Sequence, residues 1–70
     1  MAEEVREALR ILRRRQVEAH TGLSRTTLYD LIRAGKFPAQ IRVSPGAVGW
    51  LESEVDAYLA AQIERSRKSA

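Results

Sequence analysis

Thr21-Gly22-Leu23-Ser24-Arg25-Thr26-Thr27-Leu28-Tyr29 is the stretch on which the fold turns. Ahead of it, the residues from Arg14 through Gln16, Val17, Glu18, Ala19 and His20 make about two helical turns. Gly22 stops them, because glycine enters the left-handed C-cap conformation without steric cost. Leu23 follows as a single apolar residue, and Ser24 is an N-cap residue whose hydroxyl can take a free N–H of the next helix. That helix is expected to run through Ala34, with Leu28, Leu31 and Ile32 as its apolar stripe and Gly35 as its stop. Val17, Leu23, Leu28 and Leu31 then fill the wedge between the two helices, and Arg25, Thr26, Tyr29, Asp30 and Arg33 are left on the opposite face of the second. Such spacing is that of a helix-turn-helix, whose second helix enters the major groove of DNA.

Downstream the period changes from 3.6 to two. After Lys36, Phe37 and Pro38, Ile41 and Val43 fall on one face of an expected strand and Gln40 and Arg42 on the other. Ser44-Pro45-Gly46-Ala47 is turn chemistry, and Val48, Gly49 and Trp50 read as the returning strand of a small hairpin. From about Leu51, Val55, Tyr58, Leu59, Gln62 and Ile63 recur at helical spacing. Glu52, Glu54 and Asp56 lie in the first turns of that helix, where its dipole favours negative charge. Ser66 to Ala70 are expected to fray, which leaves residues 64–70 as a basic tail. Upstream, Val5, Ala8, Leu9 and Leu12 recur at helical spacing, and residues 2–9 read as a short, frayed helix in an N-terminal extension over 1–8.

Seventy residues hold one domain, and with no cysteine there is neither a disulfide nor a thiolate metal cage to support a thin core. Hydrophobic residues at 44% and charged residues at 30% are the composition of a soluble globular domain, with the cytoplasm as its expected compartment. The longest uncharged stretch, Val43 to Leu51, is nine residues and contains a proline and two glycines, against roughly 20 apolar residues for a membrane span. The three glutamates at positions 3, 4 and 7 argue against a signal peptide.

Charge is segregated along the chain. The net balance of +3 is small, but residues 10–42 carry Arg10, Arg13, Arg14, Arg15, Arg25, Arg33, Lys36 and Arg42 against Glu18 and Asp30, a local balance of +6. The flanks are acidic, with Glu52, Glu54 and Asp56 unopposed over residues 43–63. A basic centre of this kind is the electrostatic footprint of a nucleic-acid binder, and it is also compatible with an ordinary solvated face. Arg25 and Thr26, at the start of the second helix, are placed to reach phosphates or base edges with the help of unpaired backbone N–H groups.

The remaining polar candidates have two readings each. Asp30 is an acceptor for cytosine N4 or the i+3 partner of Arg33, and the spacing favours the pair. Tyr29 is placed for a phosphate contact or for packing. Arg13 to Arg15 either touch the DNA backbone or are solvated. His20 has no second histidine or cysteine with which to hold a metal, so it is read as a surface or helix-packing residue. Trp50 is read as the core anchor in preference to a base-stacking platform, and Tyr58 as part of the core stripe.

Leu12-Arg13, Gln16-Val17, Thr21 through Tyr29, Gly35-Lys36-Phe37-Pro38, and Val48-Gly49-Trp50 through Glu54-Val55-Asp56-Ala57-Tyr58-Leu59 together resemble the AlpA family of small prophage-associated regulators. That family is related in fold to MerR-type winged helix domains and to phage excisionases. The resemblance covers about residues 9–63. It implies a mainly α, winged helix-turn-helix single domain with a small β-hairpin, and a sequence-specific binder of double-stranded DNA that controls integrase or excision genes. Glu18 stands where many helix-turn-helix proteins place alanine, and the hairpin tip from Ser44 to Ala47 has no basic residue, which leaves Arg42 as the phosphate candidate of the wing.

The candidate DNA-contacting residues are therefore Arg14, Ser24, Arg25, Thr26, Tyr29, Asp30, Arg33, Lys36 and Arg42. No cofactor and no metal is expected, and no enzyme, because there is no phosphate loop, metal cluster or nucleophile set and too little chain to enclose a substrate. The expected partner is duplex DNA, bound by a cooperative homo-oligomer, with RNA polymerase or integrase as further partners. An excisionase-like architectural factor and a protein-binding module on the same fold are the other readings.

Overall fold

A computed structural model describes residues 9–69. Its elements run β1 (Ile11–Leu12), α1 (Arg14–Thr21), α2 (Arg25–Arg33), β2 (Ile41–Ser44), β3 (Ala47–Leu51) and α3 (Glu52–Ser69). The three helices and a small antiparallel sheet, ordered β1-β3-β2, form a mainly helical fold of the winged helix-turn-helix kind.

The turn between α1 and α2 forms for the reasons written into its residues. Gly22 has φ 77°, and its N–H donates to the Glu18 carbonyl at 2.7 Å. The Ser24 hydroxyl oxygen accepts from the Thr27 N–H at 3.2 Å and caps α2. At the other end of α1, the Gln16 side chain accepts from the Arg13 N–H at 2.8 Å and closes the first turn. Thr21 adds a brace: its hydroxyl donates to the Val17 carbonyl and accepts from the Leu23 N–H, which fixes the path of the chain through the turn.

The core is Leu12, Val17, Leu28, Phe37, Trp50 and Val55, with Leu23, Leu31, Ile32, Tyr58 and Leu59 half-buried against it. Trp50 is its largest member and is fully buried. Burying an indole requires a partner for its N–H, and Nε1 donates to the Pro38 carbonyl at 3.1 Å, tying the chain ahead of β2 to β3. Phe37 meets Tyr58 edge to face, with ring centroids 4.7 Å apart, and so fastens the same segment to α3.

Three features bear on the expectations of the sequence. Leu12 belongs to a strand: it lies opposite Trp50, and Ile11 lies opposite Leu51. Two residues are too few to show a period, so the pairing leaves no local trace. Leu9, expected at the end of a helix, is not helical, and the rest of that expected helix lies outside the described residues. The third feature is at the C-terminus, where α3 runs through Ser66 to Ser69, with a Lys68–Glu64 pair at 3.3 Å in its last turns. By outrunning the domain it leaves Ile63, the last residue of the expected apolar stripe, half exposed.

The two faces of the sheet are unlike. Residues directly opposite in an antiparallel pair share a face. Leu12, Trp50, Val48 and Arg42 therefore look toward the helices, and Ile11, Leu51, Gly49 and Ile41 look away from them. The apolar alternation of β2 is real, but Ile41 and Val43 are exposed because Trp50 and Leu12 determine which side is inward.

Candidate nucleic-acid interface

Helix α2 buries Leu28 and half-buries Leu31 and Ile32, which turns Arg25, Thr26, Asp30 and Arg33 to solvent with Tyr29 half-buried beside them. Arg25, Tyr29 and Arg33 follow at i, i+4 and i+8, one stripe along the exposed face. The first turns of α1 and of α2 contain no acidic residue, so no carboxylate there offsets the partial positive charge of either helix start.

Tyr29 closes one side of a groove of about 330 Å³ whose other walls are Arg13, Arg14 and Arg15 at the start of α1 and Gly46 and Val48 of the hairpin. Arg42 pairs with Val48 across the hairpin, and so projects from the same sheet face as the groove wall. The start of α1, the exposed side of α2 and the hairpin thus converge on one basic concavity, brought together from three separate parts of the sequence.

Internal ion pairs sort the basic side chains. Arg14 donates to Glu18 at 2.5 Å, and Arg33 is paired with Asp30, as the i+3 spacing favours. The Arg14 contact also gives Glu18 its place in the fold, since the carboxylate is held along α1. Arg10 lies 3.8 Å from Glu52. Among the described residues, no acidic group lies within ion-pair distance of Arg13, Arg15, Arg25, Lys36 or Arg42. Arg13 and Arg15 share one groove, and a concentration of like charge there attracts counterions or an anionic ligand.

The other candidate residues are distributed as follows. The hydroxyl of Ser24 donates to Thr27 Oγ1 at 3.0 Å while accepting from the Thr27 N–H, so its hydrogen bonds serve the cap. Thr26 and Arg25 are exposed in the first turn of α2. Lys36 is not brought to the Tyr29 groove: it lines a separate groove with Gly35, Phe37, Pro38, Glu54 and Tyr58, between the end of α2 and α3. Arg13 and Arg15, which flank the candidate Arg14, share the groove with it and lack its partner. Glu18 lies four residues after Arg14 and three after Arg15, both within helical reach, and it is Arg14 that takes the contact. His20 packs helices together, its Nε2 2.7 Å from Asp56 Oδ1 on α3. No helix among the described residues is long and apolar enough to cross a membrane.

The family model described as Prophage CP4-57 regulatory protein (AlpA) matches residues 10–63. The chain belongs to that family. Its match begins just before β1 and ends at Ile63, so it takes in the sheet, both helices of the turn and most of α3. Two relatives are similar to the chain. An Enterobacteria phage P4 protein, called uncharacterized protein ORF88, is 48% identical over 54 residues, which are 77% of this chain and 61% of that protein. The chain thus spans less than two thirds of the length of the phage relative. The DNA-binding transcriptional activator AlpA of Escherichia coli K12 is 36% identical over 61 residues, 79% of this chain and 87% of its own length. No solved structure matches the chain significantly.

Proposed function

We propose that this member of the AlpA family binds duplex DNA sequence-specifically and regulates transcription in a prophage-like element, with integrase or excision genes as its targets. The observation that carries the reading is the set of uncompensated cations around one concavity: Arg13, Arg15 and Arg42 about the Tyr29 groove and Arg25 at the start of the helix beside it. The E. coli relative, by its name a DNA-binding transcriptional activator, supports it.

In this reading α2 lies in the major groove with Arg25 and Thr26 foremost, because only the first turn of a recognition helix combines side chains with free N–H groups. The Tyr29 groove takes a backbone phosphate, held by Arg13 and Arg15, and Arg42 takes a second from the wing. Phosphate contacts, Tyr29 among them, set the register, and base contacts of Arg25 and Thr26 supply the sequence preference. A single module of this size covers about 600–1,000 Å² of its own surface on DNA. One copy reads too few base pairs to select a site in a genome, so two or more copies act together on a repeated half-site.

Titration of a duplex at several salt concentrations tests the reading. Three cations on phosphates, Arg13, Arg15 and Arg42, give a slope of log K against log salt of about −3. Arg15→Ala and Arg42→Ala each reduce that slope by about 1, whereas Arg25→Ala also flattens the preference for a selected site. Binding that is indifferent to salt would exclude the proposal and favour a protein partner on the same fold.

A further inference from the structure

We infer that the outer face of the sheet is the surface through which a second copy of this chain docks beside the first; the inference rests on the DNA-binding reading above. Ile11, Ile41, Val43 and Leu51 meet on this face, away from the helices. Ile41 is 39% exposed and Val43 50%, and Leu9, two residues ahead of Ile11, is 51% exposed. Gly49 joins them into one patch. A Cβ at that position would stand 2.5 Å from Ile11 Cγ2 and 3.3 Å from Val43 Cγ2, so only glycine lets β1 and β2 side chains close over β3.

Charge and area identify the occupant. None of these residues is charged, in a chain whose centre carries a local balance of +6. Two copies approaching through their basic faces repel each other; through this face they bring neutral apolar surface against the same surface, which is the self-complementarity that a two-fold contact requires. Only Leu9, Ile41 and Val43 of these side chains are largely exposed, with Ile11 and Leu51 half-buried, which is little surface against the roughly 1,200 Å² in total that a stable dimer buries. The contact is too small to hold a dimer in free solution. On DNA, where neighbouring half-sites raise the effective concentration to the millimolar range, it is sufficient to make binding cooperative. Opposite faces of a sheet point in opposite directions, so a copy docked on the Ile41 side leaves open the Tyr29 groove, whose wall Val48 is on the other side.

The chain contains no cysteine, which makes single-cysteine cross-linking unambiguous. Ile41→Cys and Val43→Cys are compared with Ala60→Cys, an exposed position on α3, under a mild oxidant with and without random-sequence duplex DNA. Thermal melting verifies that each variant folds. The expected result is covalent dimer from the two sheet variants on DNA, roughly tenfold faster than from the α3 variant, and a weaker preference of the same sign in concentrated protein without DNA. Equal rates at all three positions, or no dimer from the sheet positions, would overturn the inference; a face already covered by another part of the chain or by a different protein gives that result. As a second arm, Ile41→Glu and Ile41→Lys each abolish cooperative binding alone and restore it when mixed. If the chain binds no DNA but the sheet positions still cross-link in concentrated protein, the DNA reading fails and the self-docking surface stands.

Discussion

In the helix-turn-helix every boundary is set by a residue within a few positions of it: Gln16 closes the start of α1, Gly22 its end, and Ser24 the start of α2. The sheet has no such local authorship. Its β1 and β3 strands meet across the whole helix-turn-helix, with Leu12 against Trp50, and its inner wall is fixed by an indole that borrows a carbonyl from Pro38. The contrast teaches where each kind of damage will be felt. Removing a sheet residue dissolves contacts among distant segments, whereas removing a turn residue loosens one helix end, and removing a residue of the basic face leaves the fold untouched.

The largest effect belongs to Trp50→Ala. Deleting a fully buried aromatic costs about 3–5 kcal/mol, comparable with the lower end of the stability of a natural domain. The variant is expected to show no cooperative melting transition; a folded Trp50→Ala protein that has lost only DNA binding would place Trp50 in the interface and reverse the comparison. Next comes Gly49→Ala. The added methyl stands 2.5 Å from Ile11 Cγ2 and 3.0 Å from the Leu12 carbonyl oxygen, so β1 must move off β3 at a cost of about 1–3 kcal/mol. Denaturant unfolding measures it, and hydrogen exchange is expected to show the loss at the Glu52 N–H, which donates to the Arg10 carbonyl at 2.8 Å beside that pair.

Ser24→Ala tests the local half. Loss of the cap costs about 1 kcal/mol, and exchange quickens at the Thr27 N–H while the sheet amides keep their protection. A cost shared by the sheet would show that the turn is not built locally. The smallest effect on stability is that of Arg25→Ala, whose side chain has no acidic partner among the described residues. Its melting midpoint is expected to stay where it is while DNA affinity falls, and a lowered midpoint would count against a free recognition face.

The same division explains what could be read from the residues alone. The α1–α2 turn and the exposed stripe of α2 are legible because capping, glycine conformation and helical period act over four residues or fewer. The hairpin is legible as a hairpin, since period two and the Ser44–Ala47 turn are local as well. Its orientation is not: the alternation of Ile41 and Val43 states that they share a side, and it is Trp50, paired with a Leu12 that arrives from far up the chain, that determines that the side faces outward. Leu12 itself fits a helical spacing with Leu9 and is a strand residue because Trp50 is there to pair with it.

The candidate site divides in the same way. Arg25, Thr26 and Tyr29 follow from their place on α2, and the pairing of Asp30 with Arg33 follows from helical geometry. That Arg13 and Arg15 are the unpaired members of their run, that Lys36 faces α3 instead of the Tyr29 groove, and that Arg42 shares the groove's side of the sheet all depend on how the elements pack. The sequence by itself determined the helices α1, α2 and α3, the turn, the segregation of charge and the family, because each is written in neighbouring residues or in their pattern. Only the tertiary structure decided which cations share one concavity and which apolar residues are left uncovered. Those are distances between segments remote in sequence, set by the packing of Trp50, Leu12 and Val17 into one core.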